Sequence, residues 1–125
     1  MNINIKGAQI ELTDAIKNYV TVKLEGVGKL FSRPDEVLVE VEVGKESQHH
    51  AKGEVFKAEA NIRADGRQHY VVVIKDDLYA AIDELKDEIM EKIKSSKEKS
   101  RSSFRKGASK VKHFIKGMLP WKGNE

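Results

Sequence analysis

Residues 56–77 read FKAEANIRADGRQHYVVVIKDD, and this stretch decides the fold. Phe56, Ala58, Ala60 and Ile62 alternate with Lys57, Glu59, Asn61 and Arg63, the period of two that a strand with one wet face requires. Asp65-Gly66 supplies the backbone freedom of a tight hairpin, and the Val-rich run from Gln68 to Lys75 returns as its second strand. Asp76-Asp77 then caps a helix whose apolar stripe is Leu78, Ile82, Leu85, Ile89 and Ile93.

Upstream of the hairpin, Val37, Val39, Val41 and Val43 alternate with Glu36, Leu38, Glu40 and Glu42, which predicts another strand. Residues 44–53 are polar, contain His49 and His50, and read as a loop. Thr13-Asp14 is a helix cap, and Ile16, Val20, Leu24, Val27 and Phe31 form one apolar stripe that Pro34 ends. Ile3 and Ile5 alternate with Asn2, Asn4 and Lys6 in a short first strand closed by Gly7. The order strand, helix, three strands, helix predicts an α+β fold: a β-α-β-β-β-α two-layer sandwich with two helices on one face of a four-stranded sheet. Its three-strand-plus-helix portion resembles a double-stranded RNA-binding domain.

Charge is distributed unevenly over the 125 residues. From Lys92 to Lys122 there are eleven Lys or Arg residues and one acid, Glu98, a formal balance of plus ten. Residues 1–91 carry twelve bases and eighteen acids, a balance of minus six. A block of one sign at the end of a domain is the electrostatic footprint of a polyanion binder. At 100° per residue Lys86, Lys94, Lys97, Arg101 and Arg105 stay within roughly a third of a helix circumference, with Lys92, Lys99 and Lys106 on a second stripe. A solvated helix usually mixes both signs, so this near-exclusive positive sign favours a binding surface.

Between Ile93 and Phe104 no large apolar residue occurs, and this part is expected to project beyond the core. The chain is therefore divided into a domain at residues 1–95 and a basic extension at 96–125. Ser95-Ser96 and Ser100 to Ser103 read as a flexible lead-in. Val111, Phe114, Ile115, Met118 and Leu119 then form a short amphipathic basic helix, with Trp121 after Pro120.

Other chemistry finds little support. With no cysteine, disulfides, thiolate metal sites and thiol catalysis are excluded. His49 and His50 are adjacent, with His69 and His113 distant in sequence, so no metal site is expected. Gly26 and Gly28 lack the third glycine or lysine of a phosphate-cradling loop. Asp83, Asp87 and Glu91 form an i, i+4, i+8 row that reads as a solvated face, and Tyr79 as a helix residue packing near the sheet. No enzyme, cofactor or small-molecule substrate is expected. No run approaches the roughly 20 apolar residues of a membrane span, and residues 1–6 have neither a basic leader nor a signal core, so a cytoplasmic protein is expected.

Two segments carry a family resemblance. Asp77-Leu78-Tyr79-Ala80-Ala81-Ile82-Asp83 resembles the D-x-Y-x-A-I-D segment of the ribosome hibernation-promoting factor and ribosome-associated inhibitor (sigma-54 modulation protein) family. Ile3 to Gly7, Leu12-Thr13-Asp14-Ala15-Ile16-Lys17-Asn18-Tyr19-Val20 and Lys23 resemble the family's first strand, cap and first helix. The resemblance covers residues 1 to about 95 and implies a short-form member, lacking the long form's dimerisation domain.

It further implies a translation inhibitor that binds the small ribosomal subunit and its 16S rRNA. The site would be the decoding channel, overlapping the mRNA and A- and P-site tRNA positions, with inactive hibernating ribosomes stabilised as a result. Lys23 matches a basic position of the family's first helix. Where the family carries a basic pattern in its second helix this chain reads Glu88-Ile89-Met90-Glu91-Lys92-Ile93, so those contacts are not transferred.

The expected rRNA contacts are thus Lys23 from the resemblance, and Lys86, Lys92, Lys94, Lys97, Lys99, Arg101, Arg105 and Lys106 from charge position. Glu40, Glu42 and Glu59 make the open sheet face a poor phosphate surface, and Tyr70 alone is no stacking platform. A monomer in isolation is expected, without membrane contact. The alternatives are a free-standing double-stranded RNA-binding protein and a peripheral membrane protein held by residues 108–121. The terminal segment itself could fold back on the domain, thread along rRNA or dock on protein or lipid; an extension that orders on the ribosome is favoured.

Overall fold

The computed structural model describes residues 1–46 and 53–110, with backbone alone over 100–110. Its elements are β1 (Asn2–Ala8), α1 (Asp14–Leu24), short 3-10 turns at Val27–Leu30 and Pro34–Glu36, β2 (Leu38–Lys45), β3 (Phe56–Ala64), β4 (Arg67–Lys75) and α2 (Leu78–Lys110). The strands form one sheet in the order β1-β2-β3-β4. β1 runs parallel to β2, across the α1 connection, and the other pairs are antiparallel. The chain divides into two units, Met1–Ile93 and Lys94–Glu125, and the sheet and its core belong to the first.

The alternation expected from the sequence is the alternation observed. Val39, Val41 and Val43 of β2, Ala58, Ala60 and Ile62 of β3, and Val71 and Val73 of β4 all turn into the core. Ile16, Val20 and Leu24 of α1 and Ile82, Leu85, Ile89 and Ile93 of α2 meet them there. Each fully buried branched side chain in this layer contributes roughly 1.5–3 kcal/mol by leaving water. Ala58 and Ala60 of β3 and Ala81 of α2 are small, fully buried members of the same core.

Local chemistry fixes the joints. Asp65 (φ 54°) and Gly66 (φ 71°) both lie in the left-handed region, as a two-residue hairpin turn demands, and Ala64 pairs with Arg67 across it. Thr13 Oγ1 accepts the Ile16 N–H at 3.2 Å, and Asp77 Oδ2 accepts that of Ala80 at 2.8 Å, so each helix starts on a side-chain cap. Gly44 faces Ala8 across the β1–β2 pair, and a Cβ there would collide with the Ala8 carbonyl oxygen.

The first helix is shorter than its stripe suggests. It ends at Leu24, and the last turn of the stripe is a 3-10 turn in which Val27, and Phe31 just beyond it, remain buried. Glycines at 26 and 28 weaken a continued α-helix, and Gly28 lies against Met1 and Pro34, 3.4 and 3.7 Å from where a Cβ would stand. Ser95, Ser96 and Ser100 to Ser103 lie within the helical backbone of α2. His49, His50, His113 and the amphipathic segment from Val111 onward lie outside the described residues.

Candidate nucleic-acid interface

A polar cluster ties the C-terminal half of α1 to the first turns of α2. Tyr19 and Lys23 share one face of α1; Tyr79 and Asp83 share one face of α2. The Tyr19 hydroxyl donates to Asp83 Oδ1 at 2.6 Å, and Lys23 Nζ lies 3.1 Å from the same oxygen. The two tyrosine rings meet edge to face at 4.8 Å, and the Lys23 ammonium stands 5.7 Å from the Tyr19 ring centre. Tyr79 therefore packs on Tyr19 of the facing helix, a correction to the expectation of a sheet contact. The reason is that the edge-to-face pair gives its ring an aromatic partner while its outer side stays wet.

Electrostatics follow from this geometry. The Tyr19 hydrogen bond, with Lys23 adding to it, holds the Asp83 carboxyl below its usual range. Asp83 in turn raises both the Tyr19 hydroxyl and the Lys23 ammonium. Asp83 is thus a constrained, bonded carboxylate, unlike Asp87 and Glu91 further along its row, which are exposed. Lys23 remains 37% exposed, so its charge reaches solvent while Asp83 fixes its position.

Lys86 is half-buried on α2, and Lys92 is exposed. Lys92 Nζ donates to the backbone carbonyl of Tyr70 on β4 at 2.9 Å. It stands close enough to His69 that, after burial, Arg67 and Lys92 together push the imidazole below its ordinary value. Lys92 is nine helical steps beyond Asp83, about 13.5 Å of axis, so Lys23 and Lys92 belong to different places on the first unit. Sequence reasoning missed Arg67 and the buried His69, although the position of Arg67 straight after the Asp65-Gly66 turn was a usable signal.

In the second unit Lys94, Lys97 and Lys99 are exposed, as is Glu98, and no ion pair joins these lysines to another described residue. Arg101, Arg105 and Lys106 are on the helical backbone of α2, and their side chains lie outside the described residues. Glu91 is exposed, as the solvated row predicts, and Glu88 is exposed as well. Glu84 takes the Lys75 ammonium at 2.8 Å, and partial desolvation and the neighbouring Glu84 raise the Glu88 carboxyl.

The open face of the sheet carries Glu40, Glu42 and Glu59, with Lys57 held 3.2 Å from Glu59. Lys6 and Arg63 share this face, so its three acids balance its three cations and leave little net attraction for phosphate. Unforeseen in the sequence was a strip along β4 on this face: Tyr70, Val72 and Ile74 are 48%, 42% and 46% exposed. Among the described residues no His, Asp and Glu cluster could hold a metal, and no helix is long and apolar enough to cross a membrane.

Known proteins share this fold. Residues 3–101 match the family described as Sigma 54 modulation protein / S30EA ribosomal protein. The ribosome hibernation promoting factor of Pseudomonas putida is 32% identical over 110 residues, 88% of this chain and the whole of that protein. The factor of the same name from Escherichia coli K12 is 28% identical over 99 residues, covering 79% of this chain and 96% of the relative. Among solved structures, the N-terminal domain of Thermus thermophilus Protein Y superposes with a TM-score of 0.65 at 29% identity, covering 76% of this chain and 98% of that one. A ribosomal subunit interface protein from Coxiella burnetii shares the fold, with a TM-score of 0.63 at 17% identity over 78% of this chain and 98% of the other. With sequence, fold and motif-bearing helices in agreement, the chain belongs to the Sigma 54 modulation protein / S30EA ribosomal protein family, as a homologue of the non-enzymatic ribosome hibernation promoting factors.

Proposed function

We propose that this protein inhibits translation by occupancy, binding the small ribosomal subunit through 16S rRNA in the decoding channel and holding ribosomes idle in the cytoplasm. The observation that carries this reading is the match along the entire Pseudomonas putida relative, a protein named for promoting ribosome hibernation. The charge distribution supports it. Exposed Lys94, Lys97 and Lys99 are available to phosphates, whereas on the open sheet face Lys57 is beside Glu59 and Lys6 is in register with Glu42. Neutralising phosphates releases counterions without reading sequence, which suits a protein that grips folded rRNA by shape. Lys23, held by Asp83, is a second contact from the first helix. The remaining contacts in this reading are Lys86, Lys92, Arg101, Arg105 and Lys106.

Sucrose-gradient sedimentation with purified small subunits, an RNA duplex and anionic liposomes in separate runs tests this reading. Comigration with the subunit at physiological salt is expected, together with arrest of a cell-free translation reaction at stoichiometric protein. Equal binding to isolated duplex, or comigration with liposomes alone, would replace it with a duplex-binding or membrane-surface role.

A further inference from the structure

β4 is an edge strand, and its chemistry is that of a strand waiting for a neighbour. The two-residue turn makes Ala64 and Arg67 a hydrogen-bonded pair, so in the alternating antiparallel ladder Gln68, Tyr70, Val72 and Ile74 occupy the non-bonded positions. Their N–H and C=O groups point away from β3, toward the free edge. The Lys92 hydrogen bond to the Tyr70 carbonyl is what that orientation allows. From Gln68 to Ile74 there is no Lys, Arg, Asp or Glu, and three of the seven residues are valines. Edge strands are ordinarily protected by charges, prolines or bulges; β4 has charges only at its two ends, Arg67 and Lys75, and among the described residues Lys92 bonds its outward Tyr70 carbonyl.

We propose that the free edge of β4 is a self-pairing surface. Two copies join antiparallel about Val72, extending each four-stranded sheet across the junction, and Lys92 is the gate that must leave the Tyr70 carbonyl. The choice of a second copy as occupant comes from self-complementarity. Centring the pair on Val72 sets Tyr70 opposite Ile74 of the second copy, and Ile74 opposite its Tyr70, both apolar and both about half exposed in the single chain. Aromatic and β-branched partners of this kind stabilise antiparallel pairs. The same register places Gln68 opposite Asp76 of the second copy and carries Arg67 toward its Asp77, so opposite charges meet at both ends. One strand pair buries less surface than a permanent dimer needs, so the association is weak and dilute protein is monomeric.

Sedimentation velocity on the full chain, from dilute solution to about 1 mM, tests the proposal, with a dimer dissociation constant on the order of 0.1 mM expected for the native sequence. Lys92→Ala removes the gate and should tighten dimerisation roughly tenfold. Val72→Lys should keep the protein monomeric throughout. Val72→Pro is the second variant, because it deletes only an outward N–H and edge positions tolerate proline. Hydrogen exchange on the native chain should show the Tyr70, Val72 and Ile74 amides gaining protection with concentration. Monomers at every concentration for both the native chain and Lys92→Ala would overturn the proposal. So would a dimer that survives in folded Val72→Lys, since the copies would then be meeting through another surface.

Discussion

Tyr19 and Asp83, 64 residues apart in the chain, are joined by a hydrogen bond of 2.6 Å from hydroxyl to carboxylate. It links the two stretches of sequence that resemble the family, so the D-x-Y-x-A-I-D segment and the first-helix pattern are the two sides of one interhelix contact. Asp77 caps α2, Tyr79 meets Tyr19, Ala81 and Ile82 are buried, and Asp83 takes the Tyr19 hydroxyl and the Lys23 ammonium. The motif residues are accounted for by packing and positioning before any partner is invoked.

Asp83→Ala should destabilise the fold by about 1 kcal/mol, the low end for a charged hydrogen bond because the site is partly wet. Tyr19→Phe should lower the melting temperature less. In a double-mutant cycle followed by urea denaturation, the two changes should be clearly non-additive. Additive losses would mean that the hydrogen bond contributes nothing beyond the separate side chains.

His69 makes stability depend on pH. Burial, with Arg67 and Lys92 nearby, holds its folded value below the usual 6.5, so below that pH the unfolded chain takes up the proton first. Stability from neutral His69 is present above pH 6.5, falls as pH drops toward the depressed value, and then levels, with a slope of at most about 1.4 kcal/mol per pH unit. Urea denaturation at pH 7.5 and 5.5 should show this loss, and His69→Gln should reduce it. An unchanged slope in the variant would assign the effect to carboxylates.

Gly44→Ala should cost about 2–3 kcal/mol or prevent folding, because the added Cβ meets the Ala8 carbonyl oxygen in the parallel β1–β2 pair. Gly26→Ala is the control, with nothing near its Cβ position. Denaturant midpoints for the two variants should separate widely.

Lys94→Glu combined with Lys97→Glu should weaken small-subunit binding and make the dependence of log affinity on log salt shallower by about two. Affinities measured across a salt series check both effects. Unchanged binding at physiological salt would remove this part of α2 from the interface.

Much of the fold was legible because strand and helix periods differ. The Val37 to Val43 alternation, the hairpin at Asp65-Gly66 and the Leu78 to Ile93 stripe each have one burial pattern that satisfies them, and each is observed. The end of α1 was less legible, since a 3-10 turn keeps Val27 and Phe31 on the same stripe as an α-helix would. Charge position identified Lys94, Lys97 and Lys99 as exposed, because a residue with no apolar neighbours at helical spacing has no core to enter.

Sequence alone thus determined the element order, the face each strand buries and where positive charge accumulates, all properties of local period and composition. Only the tertiary structure decided which distant groups meet. Lys23 is claimed by Asp83, Lys92 reaches the β4 edge, His69 is enclosed beside Phe31, and Tyr70, Val72 and Ile74 share an open strip. The physical reason is that period fixes a side chain's direction from its own backbone, while its partner depends on strand order and helix placement, which no single segment encodes.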